Sequence, residues 1–368
     1  MVKQGGVILI IDDEDGRVTK RMLGTSIEST VRHPNDVTAS DLRKAKLVLV
    51  DYKLEHWPQR DVLATPSLKP KDGISLIAVL RSNLAGSTSP VAFALNSGAL
   101  KQLNAGRDPN GSEHAIARAI DVEWVFSKGS NREHFPLAVS RLAEAVKSLP
   151  KDWTDSSKTR DMLNDLLAVP SRATWRQSAI EAIDRSYPPH DIMIGNGSGI
   201  AVLRWLLHVI LPYPTFLLDE RYLAARLWIE PTSFSRLMKT ERDDIRRVLG
   251  FCEYKGILNG FAGLRWWRPG IEQWIWDNTK GKAFDREAVQ QLVADRLTRK
   301  ARFSELNNPV ISVSSNLQPS DDLTELSEAV EIKPDGWPPF AECAWIAAVN
   351  ASDPAFVGLI PQIEKNKF

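Results

Sequence analysis

The chemistry of this sequence sits where four short apolar runs end in polar residues. Val7–Ile11 runs into Asp12 and Asp13, and Leu47–Val50 into Asp51. Pro90–Leu95 runs into Asn96 and Ser97, and Val122–Phe126 into Ser127 and Lys128. Three carboxylates, an ammonium and a hydroxyl or amide suit a divalent cation and a phosphoryl group. Hard cations take carboxylate oxygens, and crowded carboxylates repel unless positive charge lies among them. An aspartate attacks phosphorus once the phosphoryl oxygens are neutralised. The candidate metal ligands are therefore Asp12, Asp13 and Asp51, with a main-chain carbonyl near Lys53 completing the shell. Asp51 is the candidate acceptor, and Lys128 a point charge beside the bound phosphoryl. Ser97 is the candidate hydroxyl donor, with Asn96 left open as its alternative. Any one acidic residue after a strand would be an ordinary loop residue; the joint set is what points to a site.

Such a set works only if the strands are neighbours. Each run is a short apolar block, the pattern of a parallel strand buried on both faces. Helical spacing follows the first run over Gly16–Ser29, and a short second strand is expected at Asp36–Ala39. Helices are predicted over Ile74–Leu84, Gly111–Ile120 and Phe135–Leu149, between and after the later strands. This alternation predicts an α/β fold, a doubly wound parallel sheet of five strands. In such sheets functional groups gather at the carboxyl ends of strands.

The ordered set Asp12-Asp13, Asp51 and Lys128, with Asp72-Gly73 opening a helix, resembles the response-regulator receiver domain over residues 1–148. The resemblance implies a flavodoxin-like fold, Mg²⁺ as cofactor, and phosphoryl transfer to Asp51 from a histidine kinase or phosphotransfer protein. It also implies at most self-catalysed phosphorylation with slow autodephosphorylation. The sequence departs from the family in two places. The segment Tyr52–Lys71, with Trp57, Pro58, Pro66 and Pro70, is longer than usual and could overhang the site or pack elsewhere. Strict spacing puts Leu95 where the family has Ser or Thr. The stretch 97–121, with the Gly- and Asn-rich 104–112, is also long, which implies a divergent output surface. Lys53, two residues after the acceptor, could lie beside the phosphoryl or point to solvent.

The 368 residues carry a formal charge of +1, so no global attraction to nucleic acid or membrane is expected. The two cysteines, Cys252 and Cys343, are far apart and fit a reducing cytoplasm better than a disulfide framework. The most apolar stretch, 200–218, is interrupted by Arg204, His208, Pro212 and Pro214, so no membrane span is expected.

A polar stretch over 149–160 reads as a linker. Residues 161–368 read as a second, mainly helical domain rich in tryptophan, since nine of the twelve tryptophans follow residue 170. Three features there invite function. Residues 222–247 have a helix-turn-helix pattern trailed by Arg236, Lys239, Arg242, Arg246 and Arg247. Asp191–Ile194 followed by Gly195-Asn196-Gly197-Ser198-Gly199 resembles a nucleotide-binding turn, with Asp219 as a distant acid. Trp266, Trp267, Trp274 and Trp276 form an aromatic run that core packing or a partner surface would explain. No catalytic motif is present. The expectation is a cytoplasmic phosphoreceiver of a bacterial two-component system that regulates a downstream protein or absorbs phosphate, possible roles including phage defence. The alternatives are a DNA-binding regulator using 222–247 and a pseudo-receiver that keeps the fold without the chemistry.

Overall fold

The structure is a computed structural model, and it describes residues 7–14, 16–57, 69–84, 89–98, 112–128 and 134–365. Pro58, Pro66, Gly129 and residues 104–111 lie outside the described residues. The chain packs as two compact units, each contributed by more than one segment.

The first unit comprises Met1–Leu167, Pro188–Val209 and Gly256–Ala262. Its strands are β1 (Ile8–Ile11), β2 (Ser29–Arg32), β3 (Leu47–Asp51), β4 (Ala92–Ser97) and β5 (Trp124–Ser127). Among the described residues its first five helices are α1 (Arg17–Leu23), α2 (Ala39–Lys44), α3 (Gly73–Ser82), α4 (Glu113–Ala119) and α5 (Phe135–Ser148). The sheet runs β2-β1-β3-β4-β5 with every pairing parallel. This is the flavodoxin-like strand order. β1 and β4 are buried throughout, which is why an unbroken apolar run marks them. Leu9, Ile11, Val48, Val50, Phe93 and Leu95 share one core cluster with Ile77 and Leu80 of α3.

β2 lies earlier than the expected 36–39. Ser29, Thr30, Val31 and Arg32 form a half-buried edge strand without an apolar block. Pro34 instead starts a single 3-10 turn through Asp36. Thr38 then caps α2: its Oγ1 accepts from Asp41 N at 3.1 Å, and Asp41 Oδ2 accepts from Thr38 N at 3.1 Å. Residues 149–160 form no free linker, since the helix Ser156–Leu166 begins within them and the first unit continues to Leu167. Segments 188–209 and 256–262 also return to this unit. Phe261 sits edge-on to Trp124 at 4.8 Å, and His208 Nε2 lies 3.0 Å from the carbonyl oxygen of Glu123.

The second unit comprises Ala168–Tyr187, Ile210–Lys255 and Gly263–Phe368. Helices fill it from Arg176–Arg185 to Arg286–Arg296, and Trp266 and Trp267 are among its most buried side chains. Trp266 and Trp267 of the aromatic run are thus core, whereas Trp274 is half-buried and Trp276 half exposed. The end of the chain corrects the mainly helical expectation. Pro309–Val313, Pro319–Glu325, Ala329–Ile332 and Ala344–Ala347 form a four-stranded sheet. Pro319–Glu325 is its polar edge, carrying Asp321, Asp322 and Glu325, so it shows no apolar periodicity; edge charges of this kind deter further pairing. Among the described residues no helix is long and apolar enough to cross a membrane.

Candidate metal centre

Adjacency of β1 and β3 decides the site. Their register pairs Ile11 with Val50, so the residues that follow both strands emerge side by side. Asp12, Asp13 and Asp51 each offer an oxygen within 4.8 Å of the others, and these three could hold a metal ion. Asp12 and Asp13 are buried and Asp51 half-buried. Lys128 follows β5, two strands from β3, and its side chain spans that gap. Its Nζ lies 2.8 Å from Asp51 Oδ1 and 4.0 Å from Asp12 Oδ2.

Local backbone groups hold the carboxylates in place. Asp12 Oδ1 accepts from Glu14 N at 2.9 Å, and Asp51 Oδ1 from Tyr52 N at 2.8 Å. Asp13 Oδ2 accepts from His56 N at 2.5 Å. The His56 ring itself turns outward to Glu14, Nδ1 to Oε1 2.8 Å. Asp13 Oδ1 is buried with no hydrogen-bond partner among the described residues. A buried carboxylate oxygen left unpaired is costly, and a hard cation coordinated there would satisfy it. The donor set of three aspartates fits such an ion. Burial pushes the Asp51 carboxyl above its ordinary range; the bond and charge of Lys128 pull it back, and the Asp12 charge raises it again.

The Asp72-Gly73 pair has a mechanical explanation. Asp72 Oδ1 caps α3 by accepting from Ser75 N at 2.8 Å. Gly73 N donates to Tyr52 O at 2.8 Å, and a Cβ on Gly73 would overlap the Asp51 carbonyl oxygen. A side chain there would push the Asp51 backbone aside.

Of the two candidates at the end of β4, Asn96 donates from Nδ2 to Thr19 Oγ1 at 3.1 Å inside the core. Ser97, on the opposite face of the strand, is buried at its end, and its carbonyl oxygen accepts from Lys128 N at 2.9 Å. Lys53 points toward Glu55 (3.9 Å), and both side chains are exposed. Trp57 is buried with Leu54 in the core cluster, its Nε1 donating to Asn35 Oδ1 at 2.6 Å. The described part of the long segment therefore packs into the core beside β3. Sequence reasoning missed the roles of His56 and Thr19. The first acts through its backbone amide, which no residue type signals, and the second is one helical position among many.

The other sequence candidates find structural explanations. His190–Met193 is a helical turn, not a strand, so residues 191–199 do not form a strand-to-helix nucleotide turn. Asp219 caps the helix Glu220–Arg226, its Oδ1 accepting from the amides of Arg221 and Tyr222. Comparison with known family models and with curated proteins gave no match.

Proposed function

We propose that the first unit is a divergent response-regulator receiver that accepts a phosphoryl group on Asp51 with Mg²⁺ held by Asp12, Asp13 and Asp51. The supporting observation is the convergence of those carboxylates with the Lys128 ammonium 2.8 Å from Asp51, at one end of a flavodoxin-like sheet. The donor would be a phosphohistidine of a histidine kinase or phosphotransfer protein. An Asp51 oxygen forms a bond to phosphorus as the phosphorus–nitrogen bond breaks, and the imidazole leaves with the proton on its other ring nitrogen. When bound, Mg²⁺ supplies charge neutralisation for the phosphoryl oxygens. Lys128 exchanges its carboxylate partner for a phosphoryl oxygen, and Ser97 supplies the hydroxyl that follows it.

The second unit carries no catalytic motif, so the phosphorylated state acts through protein contacts or as a phosphate sink in a cytoplasmic, bacterial relay, phage defence being one such setting. One observation favours a second reading, a DNA-binding regulator. The helices Glu220–Arg226 and Pro231–Thr240 are joined by a short turn in which Trp228 takes φ +52°, close to a helix-turn-helix connection. Arg246 and Arg247 are engaged by Glu253 and Asp244, however, which leaves them poorly placed for phosphates.

The test is incubation with a small acyl phosphate and Mg²⁺, read by mass spectrometry. One phosphate should add to the wild type and none to Asp51→Asn. A wild type left unmodified overturns the reading in favour of a pseudo-receiver.

A further inference from the structure

The amino-terminal edge of the same sheet holds a second charged feature that phosphoryl transfer does not use. A cleft of about 550 Å³ opens there within the first unit, in the size range of small-molecule sites. Its floor is electrically balanced. Arg81 and Arg204 reach Glu123 Oε1 at 3.0 and 2.7 Å, and Arg204 Nη1 lies 2.6 Å from Asp121 Oδ1. Leu84, Val91, Trp153 and Ile200 supply apolar wall. The Gly-rich turn forms the facing side, where Gly199 approaches Trp153 so closely that a Cβ would lie 2.9 Å from the indole nitrogen.

The mouth is not balanced. Lys151 lines it, and so does Ser89, whose Oγ accepts from Lys46 Nζ at 2.9 Å. The Lys46 ammonium is pushed below its ordinary range, by burial first and then by the charges of Lys151 and Lys147. Among the described residues these three lysines enter no ion pair. The fold fixes where they start. Lys46 is pinned between strands, its N donating to Val7 O at 2.9 Å and its O accepting from Ala92 N at 3.0 Å. Lys147 lies in the last turn of α5. Like charges brought near one another repel, and a shared anion removes that repulsion.

We propose that this cleft binds a small organic phosphate, no larger than a mononucleotide, with its phosphate at Lys46, Lys151 and the Ser89 hydroxyl and its carbon body along Leu84, Val91, Trp153 and Ile200. The balanced floor closes the cleft, which favours a small molecule over a polymer threading through. The site shares no residue with the carboxylate cluster, so it stands independently of the phosphoreceiver reading.

The test uses the full chain in chelator at constant ionic strength, with calorimetry and thermal unfolding against 5′-AMP, ribose 5-phosphate and adenosine. Both phosphates should bind and raise the unfolding midpoint, and adenosine should not. Asp51→Asn should bind like the wild type, which separates this site from the acceptor. Lys46→Gln combined with Lys151→Gln should weaken binding by roughly tenfold or more with the ligand-free midpoint unchanged. If that combined variant loses its ligand-free midpoint, the exposed Lys151→Gln alone gives the same reading. The proposal is overturned if neither phosphate binds at millimolar concentration, if folded lysine variants bind undiminished, or if duplex DNA binds the wild type more tightly than 5′-AMP does.

Discussion

Replacing Asp13 by Asn should stabilise the protein without metal and destabilise it, relative to wild type, with metal. Three carboxylate oxygens lie within 4.8 Å of one another. At that separation two full charges repel by about 3 kcal/mol at an effective dielectric of about 20. Lys128 offsets this for Asp51 at 2.8 Å and for Asp12 at 4.0 Å. Among the described residues Asp13 has no such cation, and its Oδ1 is unpartnered. The amide of Asn would keep an oxygen for His56 N and direct N–H groups at the neighbouring carboxylates. With part of the repulsion screened, the gain in chelator should be about 1–2 kcal/mol. Adding Mg²⁺ at a hundredfold excess over its dissociation constant should stabilise the wild type by about 2.7 kcal/mol, and Asp13→Asn by much less. The stability order should therefore invert between chelator and Mg²⁺ in urea denaturation followed by fluorescence. Loss of stability on Asp13→Asn in chelator, or equal Mg²⁺ stabilisation of both proteins, would refute the electrostatic account.

Gly73→Ala should lower stability by about 1–3 kcal/mol and slow phosphorylation of Asp51, because the added methyl displaces the Asp51 carbonyl; thermal unfolding and the acyl-phosphate assay check both effects. Glu123 is buried and accepts from Arg81, Arg204 and Phe93 N. Glu123→Ala should cost about 1–3 kcal/mol by leaving the Phe93 amide without its buried acceptor, since Asp121 still pairs with both guanidinium groups, and Arg204→Ala should cost less, since Arg81 remains on Glu123; chemical denaturation of both variants compares them. Burial pushes the imidazoles of His114 and His208 down to about 4; His208 and Arg118 add to this for His114, while for His208 the bond to the Glu123 carbonyl opposes it and Arg204 and Arg118 add to it. A folded-state value below the unfolded 6.5 means the unfolded chain binds more protons between the two. Their contribution is complete above pH 6.5 and is lost as pH falls toward 4, at most about 3 kcal/mol for each ring. Denaturation midpoints over pH 4–7 should show this slope, flattened in His208→Gln.

Much of the sheet was legible because its strands are buried on both faces. Ile8–Ile11, Leu47–Asp51 and Ala92–Ser97 admit almost no polar residue until the chain emerges at the carboxyl edge. For the same reason Asp12, Asp13, Asp51 and Lys128 stood out, since a polar residue that ends an apolar run is visible without coordinates. Gly73 was legible too, as the glycine behind a capping aspartate. β2 was not, because an edge strand that is half-buried along its length needs no apolar block. Pro319–Glu325 escaped for the same reason, being a charged edge supported by its neighbour rather than by its own side chains.

What the amino-acid order determined by itself was therefore local: which segments must be buried, where each ends, and which polar groups stand at the ends. Only the tertiary structure decided which ends meet. The 4.8 Å grouping of carboxylates depends on β1 lying beside β3. The Arg81–Glu123–Arg204 cluster depends on the segment 188–209 returning to the first unit. Burial is a property of each side chain and leaves a mark in composition and period. Pairing between residues far apart in sequence is set by the packing of whole elements and leaves no such mark.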